Sequence, residues 1–232
     1  MANTKDIQKL YMVSLGPGDI ELITIKALKA LQNSDVICVP TKSSDNSFSK
    51  SLTYKIIKAL MKEHNFDKEI VPVYTPMHFK QEDWQYQVDI LYKTLETFNT
   101  ISFVTLGDSA VYSTVYYLLD IIKEQNCELY NNSEVIAGIT SFSQSSAKVK
   151  KPLCVGDSSF SIVPLLGYEV PNTTVYMRPK IGMDTSTIKE QGEIYTFEDL
   201  NYENETITPH KIEKTKKYMT LFIDFFTTKK DK

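Results

Sequence analysis

Two aspartates follow glycines at places where an apolar run stops. Gly18-Asp19 closes "LYMVSLGPGD" and Gly107-Asp108 closes "TISFVTLGD". An apolar run that halts at glycine is a buried strand entering a turn. In open α/β sheets, ligands sit beyond the carboxyl ends of such strands. The glycines let a ligand approach the backbone closely. The carboxylates set its charge: they repel a polyphosphate and suit a cation or an amine. Neither GPGDIE nor LGDSAV follows G-x-G-x-x-G or the Walker pattern. Each Gly-Asp taken alone also fits a plain turn or N-cap. Two at equivalent strand ends weaken that plain reading somewhat.

Other reactive residue types are scattered. The cysteines, Cys38, Cys127 and Cys154, are odd in number and form no C-x-x-C pair. With His64, His78 and His210 far apart, neither a zinc site nor a disulfide framework is expected. Asp35 sits at a helix-to-strand junction and reads as a structural cap. Lys42 and Lys50 lie in the polar stretch "TKSSDNSFSK", where lysines are usually solvated. Arg178 is a rare arginine in a lysine-rich chain, and its guanidinium suits bidentate contact with a carboxylate.

The elements that must position these residues alternate. Strands are expected at Leu10–Leu15, "DVICVP", "EIVPVYTPM" and "TISFVTLGD". The third carries two prolines and belongs near an edge. Between them come an amphipathic helix from Ile20 with Asp19 near its N-cap, then helices over Leu52–Glu63 and Trp84–Phe98. Val111–Glu124 forms another after the fourth strand. Such alternation predicts a parallel α/β sheet. The polar "KEQNCELYNNS" marks the expected domain boundary, giving an N-terminal α/β domain over 1–124 and a mixed α/β domain over 125–232.

Over 232 residues, 42% are apolar, enough for real cores. The net charge of −3 argues against bulk nucleic-acid or anionic-membrane partners. The N-terminal "MANTKDIQK" lacks a signal-peptide pattern, and no apolar run reaches a membrane span. A cytoplasmic protein is expected.

The segments "LGPGDIELITIKALKALQNSDVICVP", "FVTLGDSAVYST" and "VIAGITSFSQSSA" resemble, in that order, three blocks of the tetrapyrrole (precorrin) methyltransferases. The chain is most similar to the group that methylates carbon 20 of precorrin-2 or cobalt-factor II; "VPTK", "YTPM…W", "TLGD..VYST" and "GITSFS" carry that likeness. The resemblance implies two α/β domains with S-adenosylmethionine in the cleft between them, no protein-bound metal, and a homodimer. It implies cofactor contacts at Pro17, Leu106, Gly107, Asp108, Val111, Thr140, Ser141, Met177 and Leu200. A sulfonium with an amino-acid end tolerates a neighbouring carboxylate, which answers the charge argument above. Arg178, Lys42 and His78 are then candidates to meet the tetrapyrrole.

The second loop usually reads Gly-Asp-Pro in this family, and here it is Gly107-Asp108-Ser109. Losing the proline is expected to loosen the loop without removing a functional group. Uroporphyrinogen-type members carry Tyr-Asp after the second strand, where this chain has Val39-Pro40. That argues against uroporphyrinogen as substrate and leaves no firm general base. Tyr112 is the candidate catalytic residue, with packing at the helix start as the competing role. The alternatives are another member of the superfamily, such as a precorrin-4 methyltransferase, and a non-catalytic binder of cofactor or tetrapyrrole.

Overall fold

A computed structural model describes residues 8–49, 51–76, 78, 80–155, 159–162, 173–177, 179–199 and 203–225. The chain divides into two compact units, Met1–Ser159 and Phe160–Lys232.

The first unit follows the alternation in the sequence. β1 (Lys9–Ser14) leads to α1 (Ile25–Asn33), β2 (Val36–Thr41), α2 (Leu52–Glu63) and β3 (Glu69–Tyr74). Then come α3 (Gln81–Leu95), β4 (Thr100–Thr105), α4 (Val115–Gln125), α5 (Cys127–Asn131), β5 (Ser133–Ile136) and α6 (Ser141–Val149). The strands form one sheet in the order β3-β2-β4-β1-β5, with every neighbouring pair parallel. β3, which carries Pro72, is one of the two edge strands, where a missing N–H costs least.

Side chains alternate across the sheet because strand residues alternate faces. Leu10 and Met12 of β1 pack with Val36, Cys38 and Phe103 under α3 and α4. Val13 of β1 packs with Ile37, Val39 and Val104 under α1 and α2. Each fully buried Leu, Met or Phe contributes about 1.5–3 kcal/mol. Burial also pushes the Cys38 thiol up to about 12, against a weaker pull from its hydrogen bond with Thr94, so Cys38 is an inert core thiol.

β1 and β4 are neighbours, yet the chain leaves β1 for the α1 face and β4 for the α4 face. Their carboxyl ends are therefore the switch point at which α/β sheets open a ligand crevice.

Three helix starts differ from the sequence expectation, α3 by beginning at Gln81 rather than Trp84. Asp19 caps only a short 3-10 turn, Ile20–Leu22, its carboxylate accepting from the Glu21 N–H at 3.0 Å. α1 begins at Ile25 because Thr24 is its N-cap, accepting from the Ala27 N–H at 3.1 Å. α4 begins at Val115 rather than Val111, since residues 108–112 form a turn.

The expected boundary after residue 124 also moves. Asn126 caps α5 by accepting from the Leu129 N–H at 3.0 Å, and Leu129 is buried in the first core. β5 then pairs with β1, Leu10 opposite Ser133. The polar stretch is thus a capped turn of helix inside the first unit.

Among its described residues, the second unit holds β6 (Thr174–Tyr176), β7 (Glu193–Glu198), β8 (Thr206–Thr208) and β9 (Thr220–Phe225). They form an antiparallel sheet in the order β6-β9-β7-β8. Asp224 of β9 is buried and turns the chain into β7, accepting from the Gln191 N–H at 2.6 Å and the Gly192 N–H at 2.9 Å.

Candidate active site

Three loops leave the carboxyl ends of β4, β1 and β5, which lie side by side in the sheet. These are Leu15–Asp19 after β1, Leu106–Tyr112 after β4, and Ala137–Thr140 after β5. The quoted Gly-Asp and "GITS" segments, 30 or more residues apart in sequence, meet here because the strand order brings them together.

The loops touch through backbone. The Gly16 N–H donates to the Gly107 carbonyl at 3.1 Å, and the Gly107 N–H returns to the Gly16 carbonyl at 2.8 Å. Both glycines have positive φ, 72° and 76°, a region that other residues enter only with strain. Gly138 closes the third side. A Cβ built on it would lie 2.6 Å from the Ser14 Cβ and 2.8 Å from the Gly107 carbonyl oxygen. Only hydrogen fits there, so the three loops form one backbone-walled cradle.

The polar groups differ in role. Asp108 is half-buried and braces its own turn, accepting from the Ala110 N–H at 3.0 Å. Asp19 is exposed and serves its 3-10 turn. Thr140 caps α6, accepting from the Ser143 N–H at 3.3 Å, and leaves Ser141 exposed at the helix start. Tyr112 has φ +50° and is 73% exposed. A tyrosine in that conformation costs of order 1–3 kcal/mol, so the turn is held against its local preference at the sheet's ligand edge. Burial raises the pKa of Tyr116, with the nearby Asp108 charge adding to the rise and a hydrogen bond to Ser109 opposing it.

The structure brings Pro17, Leu106, Gly107, Asp108, Val111, Tyr112, Thr140 and Ser141 to this one edge. Lys42 follows β2 and His78 follows β3, farther along the same edge; both are exposed. His78 Nδ1 lies 3.7 Å from Asp83, too far for a hydrogen bond. Met177 follows β6 of the second unit and is 68% exposed. Arg178, Leu200 and Lys50 lie outside the described residues. Asp35 is structural: its carboxylate accepts from the N–H groups of Asn99 and Thr100, at 3.1 and 2.8 Å.

Sequence reasoning missed Ser14 and Gly138 as parts of the cradle. It also misjudged Ser109, which is 2% exposed and tightly held: its N–H donates to the Ser14 hydroxyl at 2.9 Å. A serine directly before "LGPG" and a glycine in "AGITS" were the available signals.

Among the described residues, no group of three or more His, Cys, Asp or Glu side chains converges as a metal site. No described helix is long and apolar enough to cross a membrane.

This edge, with its switch point and its three-loop cradle, lies where open α/β sheets hold their ligands. Residues 9–213 match the family of tetrapyrrole (corrin/porphyrin) methylases, and the chain belongs to that family. It is 32% identical over 160 residues to a Methanocaldococcus jannaschii protein named probable cobalt-precorrin-2 C(20)-methyltransferase, covering 69% of this chain and 65% of that one. It is 29% identical over 159 residues to the cobalt-precorrin-2 C(20)-methyltransferase of Salmonella typhimurium, covering 67% and 62%. The matched stretches thus span a little under two thirds of either relative. Among solved structures, a cobalamin synthesis related protein (CobF) from Corynebacterium diphtheriae superposes with a TM-score of 0.53 at 13% identity, covering 94% of this chain and 98% of that one. At that identity the likeness concerns the fold.

Proposed function

We propose that the chain transfers a methyl group from S-adenosylmethionine to carbon 20 of precorrin-2 or cobalt-factor II, in cobalamin biosynthesis. The observation that carries this is the cradle itself: backbone from three loops, with one half-buried carboxylate, Asp108, beside it. A carboxylate beside backbone walls suits a ligand that carries positive charge, as the sulfonium and amine of S-adenosylmethionine do. Gly16 and Gly107 spend their N–H groups on each other, so these two glycines do not offer them to a polyphosphate. The names of the two methyltransferase relatives favour the carbon-20 reaction within the family.

When bound, S-adenosylmethionine supplies a methyl on a sulfonium already activated for in-line displacement. The chain's own residues bind and orient. Asp108 offsets the positive charge, the backbone at Leu106–Gly107 holds the ligand close to the sheet, and Thr140 and Ser141 offer hydroxyls. An electron-rich tetrapyrrole brings its own carbon nucleophile, so alignment and exclusion of water are the main demands. Release of one proton then needs only a weak base or solvent. Tyr112, exposed after β4, is kept as the candidate to line the reacting groups. Val111 and Pro17 supply apolar wall. Met177, Leu200, Arg178, Lys42 and His78 are kept as contacts on the resemblance alone.

Calorimetry with the demethylated product, S-adenosylhomocysteine, gives saturable binding at one site and a rise in melting temperature, because a ligand that binds only the native state stabilises it. Absence of both at millimolar ligand would remove the cofactor from this proposal. The resemblance also supports a cytoplasmic homodimer; light scattering at micromolar protein gives twice the mass of one chain, and a monomer mass contradicts it.

A further inference from the structure

The serine at position 109 meets its partner 95 residues earlier. Ser14, the last residue of β1, is fully buried, and its hydroxyl accepts the Ser109 N–H at 2.9 Å. The same two residues flank the Gly16–Gly107 pair of backbone hydrogen bonds. Ser14 Cβ is also one of the atoms against which Gly138 packs. The bond therefore sits at the point where all three loops touch, directly behind Gly107 and Asp108.

We propose that Ser14 and Ser109 form a matched pair that positions the Gly107-Asp108 turn for the cofactor, so that neither can be exchanged without regard to the other. This rests on the cofactor reading of the cradle. Proline at 109 would put its Cδ where the N–H now points. The N–C bond is about 1.5 Å long, so Cδ would lie at most about 2 Å from the Ser14 hydroxyl oxygen, deep inside van der Waals contact. A proline therefore fits only if the Ser14 hydroxyl is moved or removed. The serine at 109 is not a loosened proline: it supplies a buried donor that its partner's acceptor requires, and each buried group left alone carries a desolvation cost.

The two-residue coupling can be read directly. Ser109→Pro weakens S-adenosylhomocysteine binding at least tenfold and lowers the melting temperature. Ser14→Gly with Ser109→Pro, which removes the obstructing hydroxyl, recovers affinity to within about threefold of the parent. Ser109→Ala keeps the N–H and loses less affinity than Ser109→Pro. A merely structural cost at either site would make the double variant worse than either single one, and that result overturns the proposal. So does a Ser109→Pro variant that binds like the parent. If the parent itself fails to bind S-adenosylhomocysteine, the cofactor reading fails first. The pair is then judged by hydrogen exchange: the Ser109 amide is slow in the parent and fast in Ser14→Gly, and equal fast exchange in both refutes it.

Discussion

Gly138→Ala lowers the melting temperature and weakens S-adenosylhomocysteine binding at least tenfold. The reason is steric. Gly138 does not need positive φ, so alanine brings no backbone penalty of its own. Its methyl would sit 2.6 Å from the Ser14 Cβ and 2.8 Å from the Gly107 carbonyl oxygen. The first neighbour is a stiff buried atom and the second is backbone, so neither can swing aside. Overpacking of this kind costs about 1–3 kcal/mol, and each kcal/mol moves the melting point of a unit this size by about 2–4 °C. Relief can come only by pushing the β5 loop away from the other two. That opens the cradle, so affinity falls along with stability. Thermal melts and calorimetry on the same samples check both halves. A variant that melts and binds like the parent would mean that the three loops do not meet as described.

Asp108→Asn separates charge from shape. The asparagine oxygen can still accept from the Ala110 N–H, the bond that now braces the turn at 3.0 Å, so the fold is retained. What is lost is the negative charge beside a cationic ligand. A charge-assisted contact in a partly dry site is worth about 1.5–3 kcal/mol, which is tenfold or more in affinity. Asp19→Ala is the contrast. Asp19 is exposed and accepts from the Glu21 N–H, so its loss acts through the cap of a short turn, about 0.5–2 kcal/mol of stability, with a smaller effect on binding. The two variants, compared by melting temperature and affinity, assign the loops. If Asp19→Ala loses the ligand while Asp108→Asn binds like the parent, the roles are reversed.

The parallel sheet of the first unit was legible because its strands are short apolar runs punctuated by glycine or proline. Gly18-Asp19 and Gly107-Asp108 were legible as strand-end features for the same reason. Helix starts were less so. Ile20 and Ile23 keep the helical period, yet Thr24 makes the better cap and the helix waits for it. The turn over 108–112 holds Tyr112 at positive φ, a conformation that no local preference announces. "KEQNCELYNNS" looked like a linker because its one buried residue, Leu129, and its cap, Asn126, are embedded among polar residues. The pairing of β5 with β1 joins segments more than 100 residues apart. The Ser14–Ser109 bond is likewise long-range and leaves no periodic trace. Elements follow from local pattern, whereas what closes a site depends on which distant strand ends the sheet order places together.

The most direct test of the proposed activity follows the methyl group itself. The protein is incubated with S-adenosylmethionine carrying an isotopically labelled methyl and, in separate reactions, with precorrin-2 and with cobalt-factor II. Mass spectrometry counts the methyls gained, and magnetic resonance of the labelled product locates them. The expected result is one methyl, on carbon 20, in at least one of the two reactions, with an equal amount of S-adenosylhomocysteine formed; which tetrapyrrole reacts decides whether cobalt is already in place. No label in either product, or a label on a different carbon, contradicts the assignment.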